Sequence, residues 1–167
     1  MRVAVTDGMA KEAVKKLENA GCDVIQEFIE HDDLVNGSLA EFDAVIVRSA
    51  TKLSEEMMQA SLPRLKVIAR AGVGVDNIDV DAASRLGLPV VNAPRASTQS
   101  VVELTIGHLL GSLRFIPRAD RSLRSGQWAK KELKGTELFG KRLGLIGFGR
   151  IAQGVAKVAQ AFGMEVH

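Results

Sequence analysis

The stretch that decides the fold is KRLGLIGFGRIAQGVAKVAQAFGM, residues 141–164. It opens with an apolar run, Leu143 to Ile146, which is typical of a buried parallel strand. The run leads directly into the pattern G-x-G-x-x-A over residues 147–152, and apolar residues at helical spacing follow. The stretch therefore has the strand–turn–helix setting that a dinucleotide-binding fingerprint requires.

The residues of the fingerprint have separate expected roles. Gly147 would make the tight turn, Gly149 would let the backbone approach a pyrophosphate, and Ala152 would pack the helix closely on the strand. The start of the helix would offer free N–H groups and a partial positive charge to that pyrophosphate. The alternative is a glycine turn with a structural role only.

Composition excludes several classes of protein. The 22 basic and 20 acidic residues leave a net charge of +2, which gives no electrostatic case for binding nucleic acid or a membrane surface. The single cysteine, Cys22, cannot form an internal disulfide, so we expect a buried thiol and a reducing, cytoplasmic setting. No apolar run has the length of a membrane span, and no His, Cys, Asp and Glu spacing indicates a metal site.

The first 93 residues alternate between strand and helix patterns, which predicts an α/β fold with an open, mostly parallel sheet. Helices are expected over about residues 9–19, from Ser54 to Pro63 and over about 79–86, and the stretch from His31 to Gly37 is interpreted as a polar loop. Asp7 and Gly8 are interpreted as a turn. The five strand patterns cover residues 2–6, 22–26, 43–47, 66–70 and 88–92.

Pro94 interrupts this alternation. A long helix is predicted from Ser97 or Thr98 to Phe115, and it is apolar around so much of its circumference that we expect it to be buried between two masses. Pro117 ends it, and a basic helix and a glycine-containing arm, Gly126 to Phe139, follow. Trp128 in this arm is expected to be covered by the other domain or by a partner chain.

Two loops follow predicted strands and could bind an anion. In residues 69–79, ARAGVGVDNID, Gly72 and Gly74 would leave N–H groups uncovered at the end of a strand, where open α/β sheets bind ligands. The alternative is a plain turn in which Asp76 or Asp79 caps the next helix, and both readings can hold together.

The second loop is VRSATKL, residues 47–53, which supplies Arg48, Ser49 and Lys52. A guanidinium fork, a hydroxyl and a point charge suit a phosphate group, although solvated surface charge explains the same residues equally well.

The three histidines do not indicate a catalytic site. His31 falls in the predicted polar loop, His108 is expected to be a packing residue of the long helix, and His167 is the last residue of the chain.

Four motifs in this order resemble the NAD-dependent D-2-hydroxyacid dehydrogenases, and within that family the phosphoglycerate dehydrogenases. They are VRSATKL at 47–53, ARAGVGVDNIDVDAASRLGLPVVNAP at 69–94, STQSVVELTIGHLL at 97–110 and GTELFGKRLGLIGFGRIAQGVA at 135–156. The resemblance implies a flavodoxin-like substrate-binding lid domain over residues 1–95 and the first part of a Rossmann NAD-binding domain over 96–167. It implies oxidation of 3-phosphoglycerate to 3-phosphohydroxypyruvate with hydride passing to NAD, the first step of the phosphorylated route to serine.

The resemblance also assigns residues. The substrate would be held by the main chain of Val73 and Gly74 at its carboxylate and by Arg48, Ser49 and Lys52 near its phosphate. The cofactor would be contacted by Val73 at the nicotinamide and, at the pyrophosphate, by Gly147, Gly149, Arg150 and Ile151. The family's ribose-binding aspartate, catalytic arginine and histidine–glutamate pair would fall beyond His167, so no catalytic residue is assigned and the choice between NAD and NADP stays open.

Two alternatives remain open at this point. One is a related enzyme acting on glyoxylate, hydroxypyruvate or D-lactate. The other is a non-catalytic module that dimerises, since residues 98–140 match the segment through which this family forms dimers.

Overall fold

A computed structural model describes all of residues 1–167. They form two compact units, which we call the N-terminal unit (residues 1–96) and the C-terminal unit (residues 97–167).

The N-terminal unit contains a fully parallel sheet of five strands in the order β2-β1-β3-β4-β5. The strands are β1 (Arg2–Val5), β2 (Asp23–Gln26), β3 (Ala44–Val47), β4 (Val67–Arg70) and β5 (Val90–Asn92). The central strands are continuous in apolar residues because helices cover a parallel sheet on its faces. The predicted α/β fold with a parallel sheet is confirmed.

Short helices connect these strands: α1 (Lys11–Asn19), α2 (His31–Val35), α3 (Glu55–Ala60) and α4 (Val80–Arg85). A 3₁₀ turn, Ser38–Glu41, lies between α2 and β3. The core of the unit includes Val45 and Ile68 of the sheet together with Met57 and Met58 of α3. Full burial of one such side chain is worth about 1.5–3 kcal/mol.

The prediction of a polar loop over residues 31–37 is wrong. His31 begins α2, and Leu34 of that helix is buried, as is Leu39 in the 3₁₀ turn that follows. These two leucines anchor a segment whose other residues are mostly polar, so the segment lacks the sustained apolar period by which a helix is recognised.

The C-terminal unit contains three helices and a pair of short parallel strands. They are α5 (Thr98–Leu113), α6 (Ile116–Arg124), β6 (Arg142–Leu143), α7 (Arg150–Ala161) and β7 (Glu165–Val166). Val102 and Ile106 of α5 pack with Val155 of α7. A Cβ placed on Gly154 would lie 2.6 Å from Val102 Cγ2, so the helices meet where α7 has no side chain.

Two burial predictions in this unit are wrong. The run Leu143 to Ile146 is not a buried strand throughout: Leu145 N–H still donates to His167 O at 2.8 Å, but Ile146 is fully exposed because β6 pairs with β7 alone. Likewise α5 buries only one face, which leaves Leu104 59% exposed and His108 exposed instead of packed.

The arm after α6 is only partly extended. Thr136 N–H donates to Leu113 O at 2.9 Å, and Leu138 is buried against Ala159 and Met164. Trp128 is 79% exposed, so its own unit does not cover it.

Candidate functional site

The candidate site of the N-terminal unit lies at the carboxyl ends of β1, β3 and β4. These strands are neighbours in the sheet, and the order reverses direction between β1 and β3. Loops that leave the sheet on either side of such a switch point enclose a crevice in which open α/β sheets bind ligands. Asp7 follows β1 closely, residues 48–53 follow β3, and residues 71–77 follow β4.

Asp7 is surrounded by the loop that follows β3. Its carboxylate accepts hydrogen bonds from Arg48 N–H at 2.6 Å and from the N–H groups of Ala50 and Thr51 at 3.1 Å. It also accepts a short hydrogen bond from the Thr51 hydroxyl. Partial burial alone would raise the pKa of Asp7, but these donors outweigh it and hold the pKa below its ordinary value of 3.8.

Asn77 holds the same loop through its carbonyl groups. Its Nδ2 donates to Arg48 O at 2.9 Å and to Thr51 O at 2.6 Å. Arg70 Nε also donates to Arg48 O, at 3.3 Å. The structure thus joins the two loops that the sequence singled out separately.

The side chains predicted to bind a phosphate stay available on this fixed loop. Arg48, Ser49 and Lys52 are all exposed, although Thr51 between them is buried. Neither Arg48 nor Lys52 takes part in any ion pair of the chain. Two cations that form no ion pair, on a loop held by several hydrogen bonds, can receive an anion.

The second loop presents main-chain groups. Gly72 O accepts from Ala93 N–H at 2.9 Å and Val73 O accepts from Asn92 Nδ2 at 2.6 Å, whereas the N–H groups of Val73 and Gly74 have no protein acceptor. These two adjacent N–H groups are unpaired at the carboxyl end of a strand, where open α/β sheets bind ligands. The capping alternative holds as well, because Asp79 accepts from Ala82 N–H at 2.9 Å at the start of α4.

The need for glycine at position 72 differs from the one predicted. A Cβ there would lie 1.5 Å from the Arg70 guanidinium, so Gly72 makes room for the side chain that reaches Arg48 O. This crowding has no sequence signature. Gly74 is crowded only by Asp76, whose Oδ1 lies 3.2 Å from the position of an added Cβ.

The fingerprint of the C-terminal unit has the geometry of a pyrophosphate cradle. Gly147 has a φ of +84°, which residues other than glycine rarely adopt, and Gly149 is the residue before α7. A Cβ at Gly149 would meet no atom within 4 Å, and the N–H groups of Arg150 and Ile151 have no protein acceptor. The residues present therefore fit a dinucleotide: the space is open where a pyrophosphate would approach, and α7 offers unpaired donors.

Asp7, Arg70 and Asn77 are the residues that reasoning from the sequence missed. The available signal was an aspartate close after a buried strand, and it was read as part of a turn. Its partners are 41 to 44 residues away, so only the parallel pairing of β1 with β3 shows the role. No group of three His, Cys, Asp or Glu side chains is placed to hold a metal ion, and no helix has the length and apolar character needed to span a bilayer.

Comparison with known proteins identifies relatives over nearly the whole chain. The chain is 50% identical over 166 residues to hydroxypyruvate reductase of Thermotoga maritima, covering 99% of this chain and 54% of that protein. It is 46% identical over 166 residues to D-3-phosphoglycerate dehydrogenase of Methanocaldococcus jannaschii, covering 99% of this chain and 31% of that protein.

Among solved structures, the NAD⁺-bound 3-phosphoglycerate dehydrogenase of Entamoeba histolytica matches with a TM-score of 0.76 and 33% identity, over 99% of this chain and 52% of that one. The chain thus spans between about a third and about half of the length of the proteins it matches. The sequence model of the D-isomer specific 2-hydroxyacid dehydrogenase catalytic domain matches residues 3–164, and the chain belongs to this family of NAD-dependent oxidoreductases.

Proposed function

We propose that the chain supplies the substrate loops and the pyrophosphate cradle of an NAD-dependent dehydrogenase that oxidises 3-phosphoglycerate to 3-phosphohydroxypyruvate, the first step of the phosphorylated route to serine. The observation that carries the proposal is that Arg48 and Lys52 form no ion pair, on a loop that hydrogen bonds join to the segment with the open N–H groups of Val73 and Gly74. This substrate carries a phosphate at one end and a carboxylate at the other.

Each end of the substrate has suitable partners. The Arg48 guanidinium can bind two phosphate oxygens at once, Lys52 adds a point charge, and the Ser49 hydroxyl adds a donor. The N–H groups of Val73 and Gly74 would bind the carboxylate. Held at both ends, the hydroxyl-bearing carbon has a fixed position, which is the main contribution of a binding site to hydride transfer.

NAD would be held at its pyrophosphate by Gly147, Gly149, Arg150 and Ile151, and Val73, which is 37% exposed, would border the nicotinamide. When bound, the cofactor accepts the hydride that leaves the substrate carbon. The residues described here bind and orient the reactants, and none of the three histidines is assigned to the exchange of the hydroxyl proton.

The test is calorimetric titration of the chain with 3-phosphoglycerate and with glycerate, which lacks only the phosphate. We expect 3-phosphoglycerate to bind at least 10-fold more tightly and Arg48→Ala to remove most of that preference, because a charge-assisted hydrogen bond is worth about 1.5–3 kcal/mol. Lys66→Ala is the control, since Lys66 is an exposed lysine at the opposite end of β4. Equal affinity for the two ligands would contradict the proposal that Arg48, Ser49 and Lys52 bind the phosphate of the substrate.

The second candidate is a hydroxypyruvate reductase, which the relative from Thermotoga maritima favours. Both candidates use the carboxylate site, so only the phosphate distinguishes them. Steady-state kinetics of the complete enzyme with phosphohydroxypyruvate and hydroxypyruvate decides between them: this candidate predicts the higher kcat/KM for hydroxypyruvate.

We further propose that residues 98–140 form a homodimer interface. In support, this segment exposes large apolar side chains that its own unit leaves uncovered: Leu104, Ile116, Leu123 and Trp128 are each more than half exposed. Exposed apolar area of this kind marks interaction sites. Sedimentation should show a dimer that Trp128→Ala weakens, and a monomer at tens of micromolar, where interfaces of transient strength are already populated, would contradict the interface.

A further inference from the structure

We infer that Asp7 is a positioning residue that sets the affinity of this edge of the sheet for a phosphorylated hydroxyacid, by fixing the backbone of residues 48–51. The inference rests on the proposed function for the ligand, and on the geometry of Asp7 for the mechanism. In the sequence, the only signal for this aspartate is its position shortly after a strand.

The unusual feature is an acid at the centre of a site for an anion. Its carboxylate binds the loop through three backbone N–H groups and the Thr51 hydroxyl, and through no guanidinium or ammonium group. Because the contacts are made by the main chain, Asp7 organises the loop without neutralising Arg48 or Lys52. An acid that paired with Arg48 directly would consume the charge that the ligand needs.

The loop is held through both its N–H groups and its carbonyl groups. Asp7 accepts from its N–H groups, and Asn77 donates to the carbonyls of Arg48 and Thr51. The Thr51 hydroxyl is buried; because its single proton goes to Asp7, its oxygen accepts from the Thr6 hydroxyl at 2.8 Å. Removal of the carboxylate charge weakens every contact on one side at once, so the loop samples other conformations and the fraction competent for binding falls.

Positioning and simple electrostatics predict opposite changes in anion affinity when Asp7 is neutralised. If Asp7 acted only as a nearby negative charge, its neutralisation would strengthen anion binding. If it positions the loop, neutralisation weakens binding in proportion to the lost competent fraction. A competent fraction of roughly 1–10% would raise the dissociation constant about 10- to 100-fold.

The experiment compares Asp7→Asn with the wild-type chain in titrations with 3-phosphoglycerate and glycerate. Amide hydrogen exchange of Arg48, Ala50 and Thr51 is followed by NMR in the same samples. Asp33→Asn is the matched control, since it removes one negative charge from an exposed site on α2. We expect about 10- to 100-fold weaker binding of 3-phosphoglycerate and faster exchange at the three amides in Asp7→Asn, with the control unchanged.

A second variant covers the case in which Asp7→Asn does not fold. Thr51→Val keeps the shape and the N–H contact of Thr51 but removes the hydroxyl donor, and a smaller loss of affinity in the same direction is expected. Unchanged or tighter binding in the folded variants, with normal affinity in the wild type, would overturn the role of Asp7 and leave the proposed function intact. A wild-type chain that does not prefer 3-phosphoglycerate to glycerate would overturn the proposed function and the inference with it.

Discussion

Gly154→Ala tests the packing of the C-terminal unit. The added methyl group would lie 2.6 Å from Val102 Cγ2, far inside van der Waals contact. Val102 is 3% exposed, and a valine in a helix has essentially one χ1 rotamer, so it cannot turn away. The helices α5 and α7 must therefore separate locally to accept the new atom.

The expected magnitude is the difference between two terms. Overpacking of a filled core costs typically about 1–3 kcal/mol. Against it, alanine is favoured over glycine in a helix interior by about 1 kcal/mol. The net result is a loss of roughly 0–2 kcal/mol of stability, instead of the usual gain.

Gly107 provides the matched control because it lies inside α5 and an added Cβ would meet no atom within 4 Å. Gly107→Ala should therefore stabilise by about 0.5–1 kcal/mol. Urea unfolding followed by circular dichroism measures both variants, and hydrogen exchange over α5 and α7 assigns the change to the C-terminal unit. In a Val102→Ala background the clash disappears, and Gly154→Ala should become stabilising. Equal stabilisation by Gly154→Ala and Gly107→Ala in the wild-type background would refute the packing argument.

Three further predictions concern the two candidate sites. Gly147→Ala should lose about 1–2 kcal/mol of stability because of the positive φ. Gly149→Ala should lose less, up to about 1 kcal/mol, because glycine is preferred to alanine at a helix N-cap. It should also weaken NAD binding in calorimetry, since its methyl group would occupy the open approach. Asn77→Ala should destabilise by about 1–3 kcal/mol, measured by urea unfolding, because two carbonyl groups lose a donor. The pKa of Asp7 in the folded state lies below its value in the unfolded state. The stabilisation from Asp7 is therefore present above about pH 4 and is lost as the pH falls further. The difference in urea midpoint between the wild type and Asp7→Asn should shrink from pH 5 to pH 3.

The sequence predicted the N-terminal sheet well for a physical reason. Strands of a parallel sheet are buried on both faces, so β3 and β4 show as short apolar runs bounded by turn residues. Predictions of which side chains are buried were wrong where burial depended on neighbours distant in sequence. Ile146 and Leu104 are apolar, so burial was expected, but no residue of their own unit covers them.

The candidate site divides in the same way. Arg48, Ser49 and Lys52 were visible because they follow a strand, and strand ends carry function in α/β folds. Asp7 also follows a strand, but its role depends on the groups that donate to its carboxylate, and these lie more than 40 residues away. The side chains that would contact a ligand can thus be read locally, whereas those that fix the loop depend on strand order.

The glycines show most clearly what a pattern states and what it leaves out. Gly147 is favoured by its backbone angle, a Cβ on Gly72 would displace the guanidinium of Arg70, and a Cβ on Gly154 would clash with one methyl group of Val102. Only the first is set by the backbone of the glycine itself, and only the first was predicted. The other two come from side chains of β4 and α5, and changing those neighbours should relax them, as the Val102→Ala background tests for Gly154. A glycine motif therefore shows where glycine is favoured. Why it is favoured at each position follows from the backbone angle there or from the atoms that an added Cβ would contact.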